Sequence, residues 1–225
     1  KTAISDLEVD QREVNSKLYH IKYPIDGTKE FITIATTRPE TMLGDTAIAV
    51  NPKDDRYKLL KGKSVCIPLI NRKIKIITDE YADPEQGTGA VKITPAHDFN
   101  DYEVGQRNNL EIIDIFTADG KINEKAPKEY IGLDRFEARK LILKNLIKNE
   151  LLLKEENIKN KVPYGDRSNS IIEPFLTEQW FVDAKKLSIK AKEIVNNKKT
   201  KFFPDNWSKT YFQWMNNIEP WCISR

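Results

Sequence analysis

Histidine and cysteine are scarce in this sequence, and their scarcity argues against several kinds of site. There are two histidines, His20 and His97, and two cysteines, Cys66 and Cys222, with no metal-ligand spacing around either cysteine. Two imidazoles with scattered carboxylates do not indicate a zinc or di-metal site. Two distant cysteines do not indicate a disulfide framework, which favours free thiols in a reducing compartment. We therefore expect no metal.

Long apolar runs and an excess of one charge are also missing. No run approaches the roughly 18–20 residues that a bilayer-crossing helix needs, and the N-terminus lacks a signal-peptide pattern. The 37 basic and 34 acidic residues leave a net charge of +3. That balance argues against a histone-like nucleic-acid binder, although local basic patches remain possible. We expect a soluble, cytoplasmic protein with no membrane partner.

Motifs for phosphate binding and for covalent catalysis are absent as well. The stretch "GTGAVK" is not a P-loop and no G-x-G-x-x-G occurs, so nothing in this chain indicates ATP binding. No serine or cysteine nucleophile motif accompanies His97, so a Ser-His-Asp or Cys-His hydrolase has no positive signal. We interpret His97 as structural or pocket-shaping, with an acid/base role as the alternative.

What the sequence does contain, from about Lys17 to Thr94, is a series of short strand patterns rich in β-branched residues. They are "KLYHIKYPI", "EFITIATT", "TAIAVNP", "SVCIPLI", "RKIKIITD" and "GAVKIT". Six short strands with tight connections predict a barrel-like or mixed sheet. A short helix is predicted within "PKDDRYKLLKGK", between Pro52 and Gly62.

Beyond Pro95 the pattern is mainly helical. Helices are predicted in "HDFNDYEVGQRNN", from about Asp134 to Leu153, from about Asp183 to Asn197, and around Trp207, where aromatic residues recur at helical spacing. The polar run "KEENIKNK" has no strong periodicity and is interpreted as a boundary. The predicted fold class is therefore α+β (mixed), with a β-barrel-like domain, surrounding helices and a mainly helical C-terminal extension.

Two polar stretches could form one site. On a strand, Lys92 and Thr94 point to one face, and Pro95 then ends the strand beside a helix start that carries Asp98 and Asp101. An isolated D-x-x-D is usually a helix cap, but this convergence of polar groups makes a pocket the better interpretation. The earlier stretch "TTRPET" is undecided by itself between a proline turn and a binding wall.

Together, "ATTRPETMLGDTAIAVNP" and "GTGAVKITPAHDFNDYEVG" closely resemble the editing domain inserted in class I aminoacyl-tRNA synthetases. The phrase "AVKITPAHDFNDYEVG" resembles the bacterial valyl form rather than the isoleucyl or leucyl forms. The flanks "KTAISDLEVDQREV", "VPYGDRSNSIIEPFLTEQWFVDAKKL" and "NWSKTYFQWMNNIEPWCISR" resemble the same family. The ATP-handling signatures H-I-G-H and K-M-S-K-S do not occur, so we expect a piece of a larger ligase, without amino-acid activation.

The resemblance implies a division of the chain and a reaction. Residues 1–16 would lead into the domain, 17–156 would form the editing domain, and 157–225 would return toward the parent's catalytic core. The substrate would be tRNA(Val) mischarged with threonine, because a valine pocket cannot strongly reject isosteric threonine. A positioned water would hydrolyse the ester. No cofactor is expected for the chain itself, and ATP with Mg²⁺ is expected for the parent.

The same resemblance implies roles for particular residues. Asp101 would pair with the α-ammonium group of the substrate. Lys92, Thr94 and Asp98 would read the threonine side chain and hold the terminal adenosine, and Arg38 and Thr41 would line the opposite wall. The predicted catalytic residues are Asp101, Lys92 and Thr94, and the predicted substrate-binding residues are Arg38, Thr41, Asp98 and Asp101; Glu103 is a weaker candidate. A monomer is expected. The alternatives are a tRNA-binding module that is inactive when excised and a purely structural insert.

Overall fold

The computed structural model describes residue 4 and residues 8–224, which form two compact units divided between Leu176 and Thr177. Apart from Ile4, the first seven residues of the predicted linker lie outside the described residues. The elements are β1 (Val9–Pro24), β2 (Phe31–Thr36), β3 (Ala47–Val50), β4 (Ser64–Cys66), β5 (Lys73–Thr78), β6 (Ala90–Ile93), α1 (Phe99–Arg107), α2 (Arg135–Lys148), β7 (Leu152–Gly165), β8 (Phe181–Val182), α3 (Ala184–Asn196), α4 (Trp207–Asn216) and β9 (Trp221–Cys222). All six strand patterns predicted before Pro95 are therefore strands.

The first sheet is built around β1, in the order β2-β1-β7, with both pairings antiparallel. β1 is longer than predicted, because it begins at Val9 rather than near Lys17. Its C-terminal half pairs with both neighbours, whereas its N-terminal half pairs with β7 alone, as in Val14 opposite Asn160. Within the linker predicted over residues 1–16, positions 9–16 are therefore strand.

The interpretation of "KEENIKNK" as a boundary is wrong, because this run lies inside β7. Its side chains alternate between half-buried and exposed along much of the strand, and β1 supplies the backbone hydrogen bonds. Since charged residues occupy both faces, the period of two carries no hydrophobic signal. Geometrically, the break between units falls after Leu176 rather than after Glu156. The functional division of the chain remains a prediction.

The second sheet has the order β4-β5-β3-β6, in which β3 runs parallel to β5 and antiparallel to β6. The fold is mixed α and β as predicted, but the sheets do not close into a barrel. No ladder joins β2 to β6 among the described residues, and β6 ends after four residues because Pro95, which has no N–H, follows closely. The barrel-like expectation is corrected to open sheets.

The two faces of β3 and β6 pack differently, and this determines where the polar residues lie. Ala47, Ala49 and Ile93 pack with Val104 of α1 in a small cluster. The alternate residues, including Ile48, face the main core of the unit. Lys92 lies opposite Ile48 in the register, so its side chain projects toward the main core.

The predicted helices are confirmed, with one change of type. α1 and α2 begin after Asp98 and Asp134, whose carboxylates accept hydrogen bonds from first-turn backbone N–H groups. The segment predicted as a helix after Pro52 contains a 3-10 helix, Asp55–Leu60. The second unit contains α3, α4 and the two-stranded sheet of β8 and β9, so a mainly helical extension is not confirmed. Within residues 8–224, no helix is both long and apolar enough to cross a membrane.

Candidate functional site

A fully buried carboxylate, Asp45, lies at the centre of the polar residues. Its Oδ1 atom accepts hydrogen bonds from Lys92 Nζ at 3.0 Å and from Thr94 Oγ1 at 2.6 Å. Its Oδ2 atom accepts one from the buried hydroxyl of Tyr23 at 2.8 Å. Lys92 Nζ also donates to Thr94 Oγ1. Side chains from β1, from β6 and from the residues that flank β3 and β6 therefore meet in one network.

Local geometry explains why Lys92 and Thr94 share this network. They are two residues apart at the end of β6, so their side chains lie on the same face, as predicted. Both are buried, with Lys92 8% and Thr94 1% exposed. Burying an ammonium group is costly unless it is paired, and the Asp45 carboxylate supplies that pairing.

The N-terminus of α1 adds the predicted aspartates. Asp101 is 5% exposed, and its Oδ2 atom accepts a hydrogen bond from the backbone N–H of Thr94 at 2.8 Å. Asp98 is the helix cap: its Oδ1 atom accepts from the N–H groups of Asn100 and Asp101 at 2.9 and 3.2 Å. One Asp98 oxygen is thus engaged in capping, whereas Asp101 connects directly to the Lys92 and Thr94 network.

Arg38 directly precedes the 3-10 turn Pro39–Gly44, and Thr41 lies within it. The turn leads directly to Asp45. The Thr41 hydroxyl donates to the carbonyl oxygen of Arg38 at 3.0 Å. The Arg38 guanidinium donates to the carbonyl oxygen of His97 at 2.8 Å and to the carboxylate of Glu173. Through His97 the turn reaches the loop before α1, so the two sequence stretches do meet.

Close packing also joins the turn to the end of β6. A Cβ atom placed on Gly44 would lie 2.9 Å from the carbonyl oxygen of Ile113 and 3.2 Å from Thr94 Cγ2. Contacts below about 3 Å are not tolerated without movement of the neighbours, so glycine is needed here for space. The position of Asp45, directly after Gly44, depends on this approach.

A second group of charges supports the turn from the side of α2. Glu40 has no exposed surface, and its carboxylate accepts two hydrogen bonds from Arg139, each 2.6 Å long. Burial raises the pKa of the Glu173 carboxyl, while Arg38 and Arg135 act in the opposite direction. Glu40 and Glu173 thus pair with Arg38, Arg135 and Arg139, and these pairs anchor the turn to the rest of the unit.

His97 is held within the packing rather than presented as a base. It is 1% exposed, its Nε2 atom accepts from the backbone N–H of Ile115 at 3.0 Å, and its ring lies 4.5 Å from that of Phe116. Burial, with the nearby charges of Arg38 and Lys92, lowers its pKa to about 3. A neutral imidazole that accepts from a backbone group fits the structural interpretation.

The same residues match neither a metal ion nor a nucleotide cofactor. The described part of the chain holds no group of three or more His, Cys, Asp or Glu side chains placed to bind a metal ion. The sequence between β6 and α1, "TPAHD", has no glycine-rich phosphate loop. The residues present here do not fit ATP with Mg²⁺, which stays an expectation for the parent enzyme.

Comparison with known proteins decides the family. The family model of the tRNA synthetases class I (I, L, M and V) matches residues 1–225. The chain belongs to this class I synthetase family. A valine–tRNA ligase of Pelagibacter ubique is 83% identical over 225 residues, covering 100% of this chain and 26% of that protein. Valine–tRNA ligases of Caulobacter vibrioides and Pseudothermotoga lettingae are 51% and 55% identical, covering all of this chain and 27% and 26% of theirs.

The synthetase chain thus spans about a quarter of the length of the curated relatives it matches. Among solved structures, a ternary complex of Agrobacterium radiobacter K84 LeuRS, tRNA and LeuAMS matches with a TM-score of 0.50 and 18% identity, over 65% of this chain and 20% of that one. At this identity the likeness concerns the fold alone.

In this class I synthetase chain, the buried network holds two carboxylates close to basic groups. Asp45 and Asp101 lie near the Lys92 ammonium, and the Arg72 guanidinium lies near Asp45 as well. Burial raises the pKa of Asp101 to about 6, although Lys92 and the Thr94 N–H act in the opposite direction. Burial also raises the pKa of Asp45, against the effects of Lys92, Thr94 and Tyr23. A cationic group brought beside Asp101 would lower its pKa and stabilise its ionised form.

The sequence predicted Lys92, Thr94 and Asp101 as site residues, and the structure connects them, but Asp45 and Tyr23 were missed. The available signal for Asp45 was an aspartate between the glycine-ended turn "MLG" and the entirely buried strand "AIAV". Tyr23 carried no signal, since a tyrosine in a strand is ordinary core. The predicted roles of Arg38, Thr41, Lys92, Thr94, Asp98 and Asp101 toward a substrate stay predictions.

Proposed function

We propose that this chain hydrolyses the aminoacyl ester of tRNA(Val) mischarged with threonine, as the editing part of a valine–tRNA ligase. The observation that carries the proposal is the continuous hydrogen-bonded group of Asp45, Lys92, Thr94 and Asp101, in which burial raises the pKa of the Asp101 carboxyl. The high identity to valine–tRNA ligases supports the same substrate family.

The chemistry of valine selection explains why such a site is needed. Valine and threonine have nearly the same shape, so an apolar synthetic pocket discriminates between them by only about 100-fold. A second site can do better if it hydrogen-bonds a hydroxyl, because valine then leaves buried polar groups unpaired. Lys92 and Thr94 are buried polar groups of that kind.

Each residue has a proposed role in binding the ester. Asp101 takes the α-ammonium of the aminoacyl group, and this ion pair favours the ionised form of its buried carboxyl. Lys92 and Thr94 meet the side-chain hydroxyl. Asp98, at the start of α1, and Arg38 with Thr41, on the opposite side, contact the terminal adenosine.

Catalysis is proposed to come from orientation. Hydrolysis needs one water placed against the ester carbonyl and stabilisation of the charge that develops on its oxygen. No serine or cysteine in the network is placed as a nucleophile, and His97 is engaged with Ile115. A covalent enzyme intermediate is therefore not part of the proposal, and a hydroxyl of the terminal ribose assists the water.

The proposal extends to the protein's surroundings. The whole ligase would join valine to tRNA(Val) with ATP and Mg²⁺ in a catalytic core that contacts this chain, in the cytoplasm. The chain itself would need no cofactor and would act as a monomer. Contacts of basic side chains with tRNA phosphates should weaken as salt rises.

The test is hydrolysis of Thr-tRNA(Val) and Val-tRNA(Val) by the 225-residue chain at high enzyme concentration. We expect release of threonine well above the buffer rate, with valine largely spared. Binding of uncharged tRNA(Val) is measured in parallel. Binding without hydrolysis of either ester would contradict the editing proposal and favour a tRNA-binding module. That alternative is relevant because the chain corresponds to only 26% of a full-length relative.

A further inference from the structure

We propose that Asp45 is a positioning residue, which aims the Lys92 ammonium and fixes the direction of the Thr94 hydrogen bond so that the site accepts a hydroxylated side chain. The inference rests on the proposed function and deepens it by naming a specificity-determining residue outside the predicted site. Asp45 acts through Lys92 and Thr94, and it is not assigned contact with the substrate.

Asp45 is held rigidly by both its backbone and its side chain. Its N–H donates to the carbonyl oxygen of Met42 at 3.1 Å, and its own carbonyl oxygen accepts from Arg72 Nη2 at 2.8 Å. Both carboxylate oxygens are also engaged, by Tyr23 on one side and by Lys92 and Thr94 on the other. With no exposed surface, the side chain has no room to change rotamer.

This arrangement determines which partner donates each hydrogen bond. An ionised carboxylate only accepts, so the single hydroxyl proton of Thr94 is directed to Asp45. Thr94 Oγ1 can then only accept from any other group. Of the three N–H donors of the Lys92 ammonium, the described contacts use two, at Asp45 and Thr94. The third remains for a ligand.

A hydroxyl group complements this pattern and a methyl group does not. A threonine hydroxyl can accept from Lys92, and its own proton can be donated to an oxygen of the network. A valine methyl at the same place would leave the third Lys92 donor unpaired in a buried site, which is costly. The direction of discrimination therefore depends on Asp45 keeping its charge and orientation.

Tyr23 supports Asp45 from the strand β1. Its side chain is fully buried, and its hydroxyl has Asp45 Oδ2 as its partner at 2.8 Å. This hydrogen bond prevents the carboxylate from turning and leaves Oδ1 for Lys92 and Thr94. Removing only the Tyr23 hydroxyl should therefore loosen Asp45 without removing its charge.

A purely structural role for Asp45 makes a different prediction. If Asp45 served only to neutralise Lys92, its replacement would lower stability by leaving a buried ammonium unpaired, without changing the choice between the two esters. A positioning role would change that choice. The matched control is Asp54→Asn, because Asp54 is also a buried aspartate paired with a basic side chain, Arg56, at 2.6 Å.

The experiment compares the unmodified chain with Asp45→Asn, Tyr23→Phe and Asp54→Asn. Single-turnover hydrolysis of Thr-tRNA(Val) and Val-tRNA(Val) gives the ratio of rates for each variant. Labelling with an amine-reactive reagent, read at the Lys92 peptide by mass spectrometry, measures independently how firmly that ammonium is held.

For Asp45→Asn we expect the ratio of threonyl to valyl rates to fall by about tenfold or more, with faster labelling of Lys92. Tyr23→Phe should lower the ratio by a smaller factor, and it provides the test if Asp45→Asn fails to fold. Asp54→Asn should keep both the ratio and the labelling rate.

The possible failures separate the two proposals. An unmodified chain that hydrolyses neither ester overturns the proposed function, and Lys92 labelling then still decides whether Asp45 places the ammonium. An active chain whose folded Asp45→Asn variant keeps the original ratio overturns the inference alone. Unchanged labelling of Lys92 in that variant overturns it in either case.

Discussion

The Asp101 carboxylate accepts a hydrogen bond from the backbone N–H of Thr94 at 2.8 Å, joining the first turn of α1 to the end of β6. The same carboxylate is almost completely buried and lies near three other charged groups, Lys92, Asp98 and Asp45. It is therefore both a structural link and, under the proposed function, the group that receives the substrate ammonium.

Asp101→Asn should reduce hydrolysis of Thr-tRNA(Val) by at least about 100-fold, because the amide keeps the Thr94 contact but loses the charge. Since the folded-state pKa of Asp101, about 6, lies above its ordinary value of 3.8, the ionised form destabilises the fold. This cost is full above pH 6 and disappears toward pH 4. The variant should therefore be no less stable than the unmodified chain at pH 7.5, as measured by urea unfolding. Asp55→Asn, an exposed change, is the control for activity.

His97 should produce the opposite pH dependence of stability. Its folded-state pKa of about 3 lies below the ordinary 6.5, so the unfolded chain binds the extra proton between these values. Stability from this group is present above pH 6.5 and falls by about 1.5 kcal/mol between pH 6.5 and 5. His97→Gln, which preserves an acceptor for the Ile115 N–H, should remove this loss. Comparison of unfolding free energies at the two pH values tests the prediction, and an equal loss in the variant would contradict it.

Arg139→Met should destabilise the first unit by about 3 kcal/mol, because it leaves the buried Glu40 carboxylate without its main partner. Arg38, whose Nε atom lies 3.8 Å from Glu40, compensates only in part. Adding Glu40→Gln should recover most of the loss. A double-mutant cycle by urea unfolding measures the coupling, and additive effects would show that the pair is not coupled.

Gly44→Ala should cost about 2 kcal/mol and also slow hydrolysis, because the new methyl group must displace the carbonyl of Ile113 or the side chain of Thr94. Gly27→Ala is the contrasting variant. Gly27 has a φ of +73°, but a methyl group added there would meet nothing within 4 Å, so the change should cost about 1 kcal/mol through backbone strain alone. Activity of the Gly27 variant should be unchanged. Equal activity in both variants would argue against a role for close packing at Gly44.

Much of the fold follows from local signals. The alternation in "GAVKIT" correctly placed Lys92 and Thr94 on one face, and the carboxylates of Asp98 and Asp134 mark the helix starts that the structure contains. These features depend on interactions among residues close in the chain. The polar strand β7 could not be recognised in the same way, because its partner β1 lies far away in the sequence.

The candidate site shows the same division. The sequence by itself determined which side chains at the end of β6 and the start of α1 lie close together. These are Lys92, Thr94, Asp98 and Asp101, which fall within ten consecutive residues. Only the tertiary structure decided that Asp45, 47 positions before Lys92, provides the counter-charge, and that Tyr23 holds it. It also decided that the sheets stay open. The physical reason is that burial and pairing between distant segments depend on how the whole unit packs. The strand face on which a side chain lies and the residue at which a helix starts depend instead on local backbone geometry.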